Sequence, residues 1–166
     1  MGPIERTRAQ IESDLEAAYG ELARPSYAFA AERLEAGMHG ETVTRLAQEF
    51  DWEDRTSIGS DDVCISLWLR PKDTSGPWQW RVLLSLVGNY AVVDRLIEPS
   101  KDWPVIEAHG DGPEAVLLST LRGSGFELLP SSELREPTAL RPANSDPSEV
   151  YTVYNALFSD AVPHPT

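Results

Sequence analysis

The sequence predicts an α+β fold, and three observations carry that prediction. Apolar residues recur at helical spacing up to about residue 50, and the period switches to two after residue 62. Helical spacing then returns near residue 113. The apolar runs after the switch are joined by short connections, which suit antiparallel strands; parallel strands need a long crossover. The expected architecture is a group of N-terminal helices on an antiparallel meander of about 63–70, 78–87 and 90–97. A further helix over about 113–122 and a C-terminal strand over about 150–158 complete it. A chain of 166 residues fits one domain, taken as 1–160 with a frayed tail over 161–166.

The first helix is read from Ile4, Ile11, Leu15, Ala18, Tyr19 and Leu22, with Glu12, Asp14, Glu16 and Glu21 facing water. Arg24-Pro25 is its expected stop, because a residue before proline is driven out of helical geometry. Ser26 is the expected cap of a second helix that carries Tyr27, Ala30, Ala31 and Leu34 on one side and stops at Gly37. A third helical stretch, Glu41 to Phe50, has Val43, Leu46, Ala47 and Phe50 as its stripe.

In the first strand, Val63, Ile65, Leu67 and Leu69 form one apolar face and Cys64, Ser66 and Trp68 the other. The second strand puts Trp78, Trp80, Val82, Leu84 and Leu86 together, so Trp78 and Trp80 are expected in the core. Gly88-Asn89 reads as a two-residue hairpin turn, since both residues tolerate positive φ. Pro113 suits the first turn of a helix that Gly123 and Gly125 stop. Phe126 to Leu129 reads as a short strand, Ser131-Ser132-Glu133 as the cap of one helical turn, and 136–147 as an irregular excursion with three prolines. Val150 to Phe158, rich in Tyr, Thr and Val, reads as a strand buried on both sides.

Charge excludes several function classes. There are 27 Asp+Glu against 14 Lys+Arg, a net charge of −13. A general phosphate-backbone binder is built on Lys and Arg, so nucleic acid is not an expected partner. Anionic membrane surfaces are disfavoured on the same ground. A single cysteine, Cys64, rules out an internal disulfide and fits a reducing compartment. The opening residues show no basic start followed by an apolar run, and the longest apolar stretch, Val82 to Val93, is interrupted and too short to span a bilayer. The expected location is cytoplasmic.

Few constellations point to chemistry. His39, His109 and His164 do not form a paired metal-ligand spacing. Cys64, with His109 as base, would make a nucleophile, yet it sits in an apolar strand where cysteine behaves as a small hydrophobe. Asp61-Asp62 lacks the further acids of a calcium loop. No metal or cofactor is expected. His109, Asp111 and Glu114, at a glycine-rich entry to a helix, are the one loop-borne polar group that suits a small ligand or acid–base pair.

The charge excess is local. Glu41 to Asp62 holds seven acids and two bases. Inside it, Glu49, Asp51, Glu53 and Asp54 interleave with Phe50 and Trp52. Aromatics supply contact area at low entropy cost, and surrounding carboxylates attract a basic surface. The expected partner-binding residues are therefore Glu49, Asp51, Trp52, Glu53 and Asp54. The expected function is a non-enzymatic protein-binding module for a basic partner, in its specific form an immunity-type inhibitor of a basic toxin such as a nuclease. The alternative is a small-molecule binder or enzyme centred on His109, Asp111 and Glu114. Trp103 is a second candidate contact residue, and the sheet face bearing Trp68 is a candidate homo-oligomer surface.

Overall fold

A five-stranded sheet in the order β1-β2-β3-β4-β5 forms the centre of the protein. The computed structural model describes residues 3–58, 62–96, 112–143, 145–146 and 148–159. Helices α1 (Pro3–Tyr19), α2 (Ala28–Glu35) and α3 (Gly40–Glu49) come first. Strands β1 (Phe50–Asp54), β2 (Cys64–Pro71), β3 (Trp80–Ser85) and β4 (Tyr90–Arg95) follow. Then come α4 (Pro113–Gly123), β5 (Glu127–Leu128), α5 (Ser131–Leu134) and α6 (Val153–Leu157). The first four strands pair antiparallel in chain order, which is the expected meander with one strand added in front. β5 lies parallel to β4, pairing Tyr90 with Glu127 and Ala91 with Leu128 after a connection that contains α4.

Pairing register aligns side chains in rows across the sheet. On one face, Trp52, Leu69, Trp80 and Arg95 form a row, and Leu67, Val82 and Val93 form the next. On the other face, Glu53, Trp68, Arg81 and Asp94 are aligned. α4 covers the first face, where Trp80 Nε1 donates to Glu114 at 3.2 Å. α1 and α6 cover the second: Tyr90 Oη donates to Asp14 at 2.6 Å, and Ser85 Oγ donates to the Leu157 carbonyl at 2.6 Å. Tyr19 Oη in turn donates to the Ala156 carbonyl at 2.7 Å, joining α1 to α6. Ile11, Leu15, Leu67, Leu84, Leu117, Leu121 and Phe158 are all essentially buried in the one core these layers enclose.

Several expectations are corrected. α1 ends at Tyr19, before Arg24-Pro25, because Gly20 takes a left-handed φ of 78° that a residue without Cβ adopts freely. The α2 cap position is Tyr27, with Ser26 Oγ one residue earlier accepting the Ala28 N–H at 3.4 Å. Residues 150–158 are not a strand. Val153–Leu157 is a helix with a reciprocal cap between Thr152 and Asn155, and its residues are buried all round. The β-branched and aromatic content that reads as strand serves a short helix sunk in the core, so local capping and burial override propensity. Single bridges, Thr152 to Pro137 and Ser159 to Asp62, are the only pairing it keeps among the described residues.

Trp80 is core, but Trp78 precedes β3 and is half-buried beneath the Arg70 guanidinium, 4.6 Å from its ring centre. The β3–β4 connection runs from Leu86 to Asn89, and neither Gly88 nor Asn89 has a positive φ. Gly88 is needed for space instead: a Cβ there would come within 2.9 Å of the Tyr90 ring and 3.1 Å of the Asp14 carboxylate. Leu86 and Val87 in this connection are buried, so its carbonyls require donors. Arg33 Nη1 donates to Leu86 O at 2.6 Å and Val87 O at 3.0 Å, and His39 Nε2 donates to Ser85 O at 2.7 Å.

Candidate functional site

The acidic-aromatic stretch folds as strand β1 from Phe50, the residue at which the expected third helix ends. α3 stops at Glu49 because Phe50 turns extended, with φ −134° and ψ 154°, while its N–H still caps the Leu46 carbonyl. Period-two alternation then takes over. Phe50 is buried, its ring edge-on to Trp80 at 5.7 Å, and this anchors the strand. Trp52, two residues on and on the same face, is 42% exposed. Both lie on β1, the edge of the sheet, with a strand neighbour on one side only; Phe50 directly follows α3 and meets the Trp80 ring, while the Trp52 side chain is left open.

The four carboxylates are held in different ways. Glu49 accepts from Thr120 Oγ1 at 2.8 Å, tying α3 to α4. Asp51 meets Arg70 across the β1–β2 pair at 3.3 Å. Arg70 also donates to Gly76 O at 2.8 Å. Glu53 accepts both Nε and Nη2 of Arg55, at 3.0 and 2.9 Å. Asp54 accepts the Thr56 N–H at 2.9 Å, a local turn that ends the strand. Four carboxylates therefore face two guanidiniums, and the patch keeps a net negative charge. These ion pairs are partly solvated, where each contributes on the order of 0–1 kcal/mol, so they arrange the surface more than they stabilise it.

Backbone geometry adds what the sequence did not reveal. Arg55 N–H bonds to Ser66 O at 2.8 Å, and the register makes 51, 53 and 55 the residues whose ladder bonds reach β2. The N–H and C=O groups of Trp52 and Asp54 consequently point away from the sheet. Among the described residues, none hydrogen-bonds to them.

Arg55 and Arg70 belong to this region and were not among the expected site residues; Trp68, expected only on a homo-oligomer face, joins them. The Arg55 guanidinium lies 3.5 Å from the Trp68 ring centre while it binds Glu53. Trp68 is half-buried, and one face of its ring is covered by Arg55. The spacing Glu53-x-Arg55 was the available signal, because residues two apart in a strand share a face.

The other candidates behave structurally. Burial pushes the Cys64 thiol far up, which suppresses the thiolate a nucleophile needs. His39 lies at the start of α3 with φ 66° and serves the Ser85 carbonyl; burial lowers its pKa, and hydrogen bonds to the backbone of Ser85 and Gly88 partly offset this. Glu114 receives Nε and Nη2 of Arg95, both at 2.8 Å, together with Trp80 Nε1. The Arg95 hydrogen bonds hold its carboxyl below the usual range. His109 and Asp111, its expected companions, lie outside the described residues, as do Asp61, Trp103 and His164. Asp62 is engaged by Ser159 Oγ at 2.6 Å. Among the described residues, no group of three His, Cys, Asp or Glu side chains could hold a metal ion. A groove of about 600 Å³ between α1 and α5 is lined by Arg8, Glu12, Glu133 and Glu136, but Arg8 is already bound to Glu12, Glu136 and the Pro137 carbonyl. No helix among the described residues is long and apolar enough to cross a membrane.

No protein-family model, curated protein or solved structure matches this chain.

Proposed function

We propose that this chain is a non-enzymatic protein-binding module of the cytoplasm. It engages a basic protein through Glu49, Asp51, Trp52, Glu53 and Asp54. One observation carries the reading: a large aromatic stands open on an edge strand whose carboxylates, Asp54 on its own face and Asp51 and Glu53 on the other, outnumber their cations. An exposed tryptophan with charged neighbours along an edge strand has the composition of an interface anchor. The surrounding negative charge steers a basic partner and raises its association rate. In its specific form the module is an immunity-type inhibitor of a basic toxin such as a nuclease, since an enzyme that holds polyanions offers the complementary surface.

The test is capture from the native cell at low ionic strength, comparing wild type with E53Q/D54N and with Trp52→Ala. Capture of a basic protein that weakens in both variants, and whose association slows as salt rises past roughly 0.1 M, is the expected result. Equal capture by all three chains would move the interface elsewhere on the molecule.

A further inference from the structure

We infer that the open edge of β1 receives an extended basic segment of the partner as an added antiparallel β-strand. This deepens the reading above and rests on it. The outward N–H and C=O groups of Trp52 and Asp54 supply a row of backbone donors and acceptors at the spacing a new strand needs. The side chains then specify which strand fits. A residue facing Trp52 shares its face of the sheet and packs an apolar side chain on the indole. The residues before and after it fall on the other face, opposite Asp51 and Glu53, and are lysine or arginine. The matching sequence therefore alternates basic and apolar residues.

Charge selects against a second copy of this chain. An antiparallel β1–β1 pair centred on Trp52 sets Asp51 against Glu53 twice. A pair shifted to match Trp52 with Asp54 sets Glu53 against Glu53. Like charges directly opposed across a strand pair are destabilising, so the edge resists self-association while it remains open to a basic strand.

The probe is a short capped peptide alternating lysine and valine. Two controls accompany it: a peptide of the same composition with the lysines in one block, and the alternating peptide N-methylated at the valines. The valine facing Trp52 exchanges both of its backbone hydrogen bonds with β1, so methylation removes donors and obstructs the approach of the strand while charge is unchanged. The expected result is saturable binding of the alternating peptide, with slowed hydrogen exchange at the Trp52 and Asp54 amides. N-methylation should weaken binding by about tenfold or more, the loss expected for two or more backbone bonds. On the protein side, Asp54→Pro and Asp54→Asn remove the same charge, but only proline removes the outward N–H. Proline is tolerated at such an edge position, which thermal unfolding verifies. Asp54→Pro should bind more weakly than Asp54→Asn.

If the alternating, blocked and N-methylated peptides all bind alike, strand addition is overturned and the acidic patch for a basic partner stands. If no lysine peptide binds at low salt, the patch reading fails, and strand addition with it. A concentration-dependent homodimer that protects the same two amides also overturns the proposal.

Discussion

Trp52 and Trp80 stand in one cross-strand row, on the same face of the same sheet, with only Leu69 between them. Trp80 is 4% exposed and Trp52 is 42% exposed. Trp80 has a strand on each side, the Phe50 ring against it and the Glu114 carboxylate on its indole nitrogen. Trp52 has a strand on one side and, among the described residues, open backbone on the other. The two residues differ in the cover the fold supplies, a strand on each side with a ring and a carboxylate for Trp80 and a strand on one side for Trp52, and this turns one into core and leaves the other available for contact. The opposite face repeats the lesson with charge. Arg81 and Asp94 are paired in the interior of the sheet, where Asp94 is buried, while Glu53 and Arg55 are paired at the edge, where both are exposed.

Substitutions that act on one member of each comparison should separate sharply. Trp80→Ala removes a buried aromatic and strands Glu114 against Arg95 alone; a loss of about 3–5 kcal/mol in denaturant unfolding is expected. Arg81→Met leaves the Asp94 carboxylate buried without its cation, and a loss of about 3–5 kcal/mol is expected from the same measurement. Asp94→Asn in the Arg81→Met background should recover part of it, because the uncompensated charge is gone.

His39 gives a smaller, pH-dependent effect at the buried β3–β4 connection. Burial lowers its pKa in the folded state, so the fold favours the neutral imidazole. Its contribution is present above the unfolded pKa of about 6.5 and is lost as pH falls through the lower folded value. His39→Asn, which tolerates the left-handed φ, should flatten the fall in unfolding free energy between about pH 7 and pH 5. Unfolding curves at both pH values, wild type against variant, read this directly.

The edge should respond least in stability. Trp52→Ala is expected to shift unfolding by about 1 kcal/mol or less, while it weakens binding of a basic partner. Arg55→Met, which dissolves the Glu53 pair and uncovers Trp68, should change stability by under about 1 kcal/mol. A Trp52→Ala loss as large as that of Trp80→Ala would erase the contrast between interior and edge and remove the basis for an interface there.

Much of this architecture is written locally. The 3.6 to 2 change of period, Pro113 at the start of α4 and the apolar alternation of β2 each depend on neighbours within a few residues, and each is legible without the fold. β1 was not legible, because five residues with three acids carry the composition of a loop; Phe50 and Trp52 at period two were its one trace. α6 was misread for the converse reason, since strand-like residues were packed from all sides as a helix. The candidate site divides in the same way. Which residues carry charge and aromatic surface on 49–54 was visible in the chain. That Phe50 is buried follows from its packing on Trp80, and that Trp52 is open and the amides of Trp52 and Asp54 face outward follows from β1 pairing with β2 on one side only. Composition and period are properties of adjacent residues and are determined by the sequence alone. Exposure and free hydrogen-bonding capacity depend on which distant strands arrive beside a residue, so only the tertiary structure decided them.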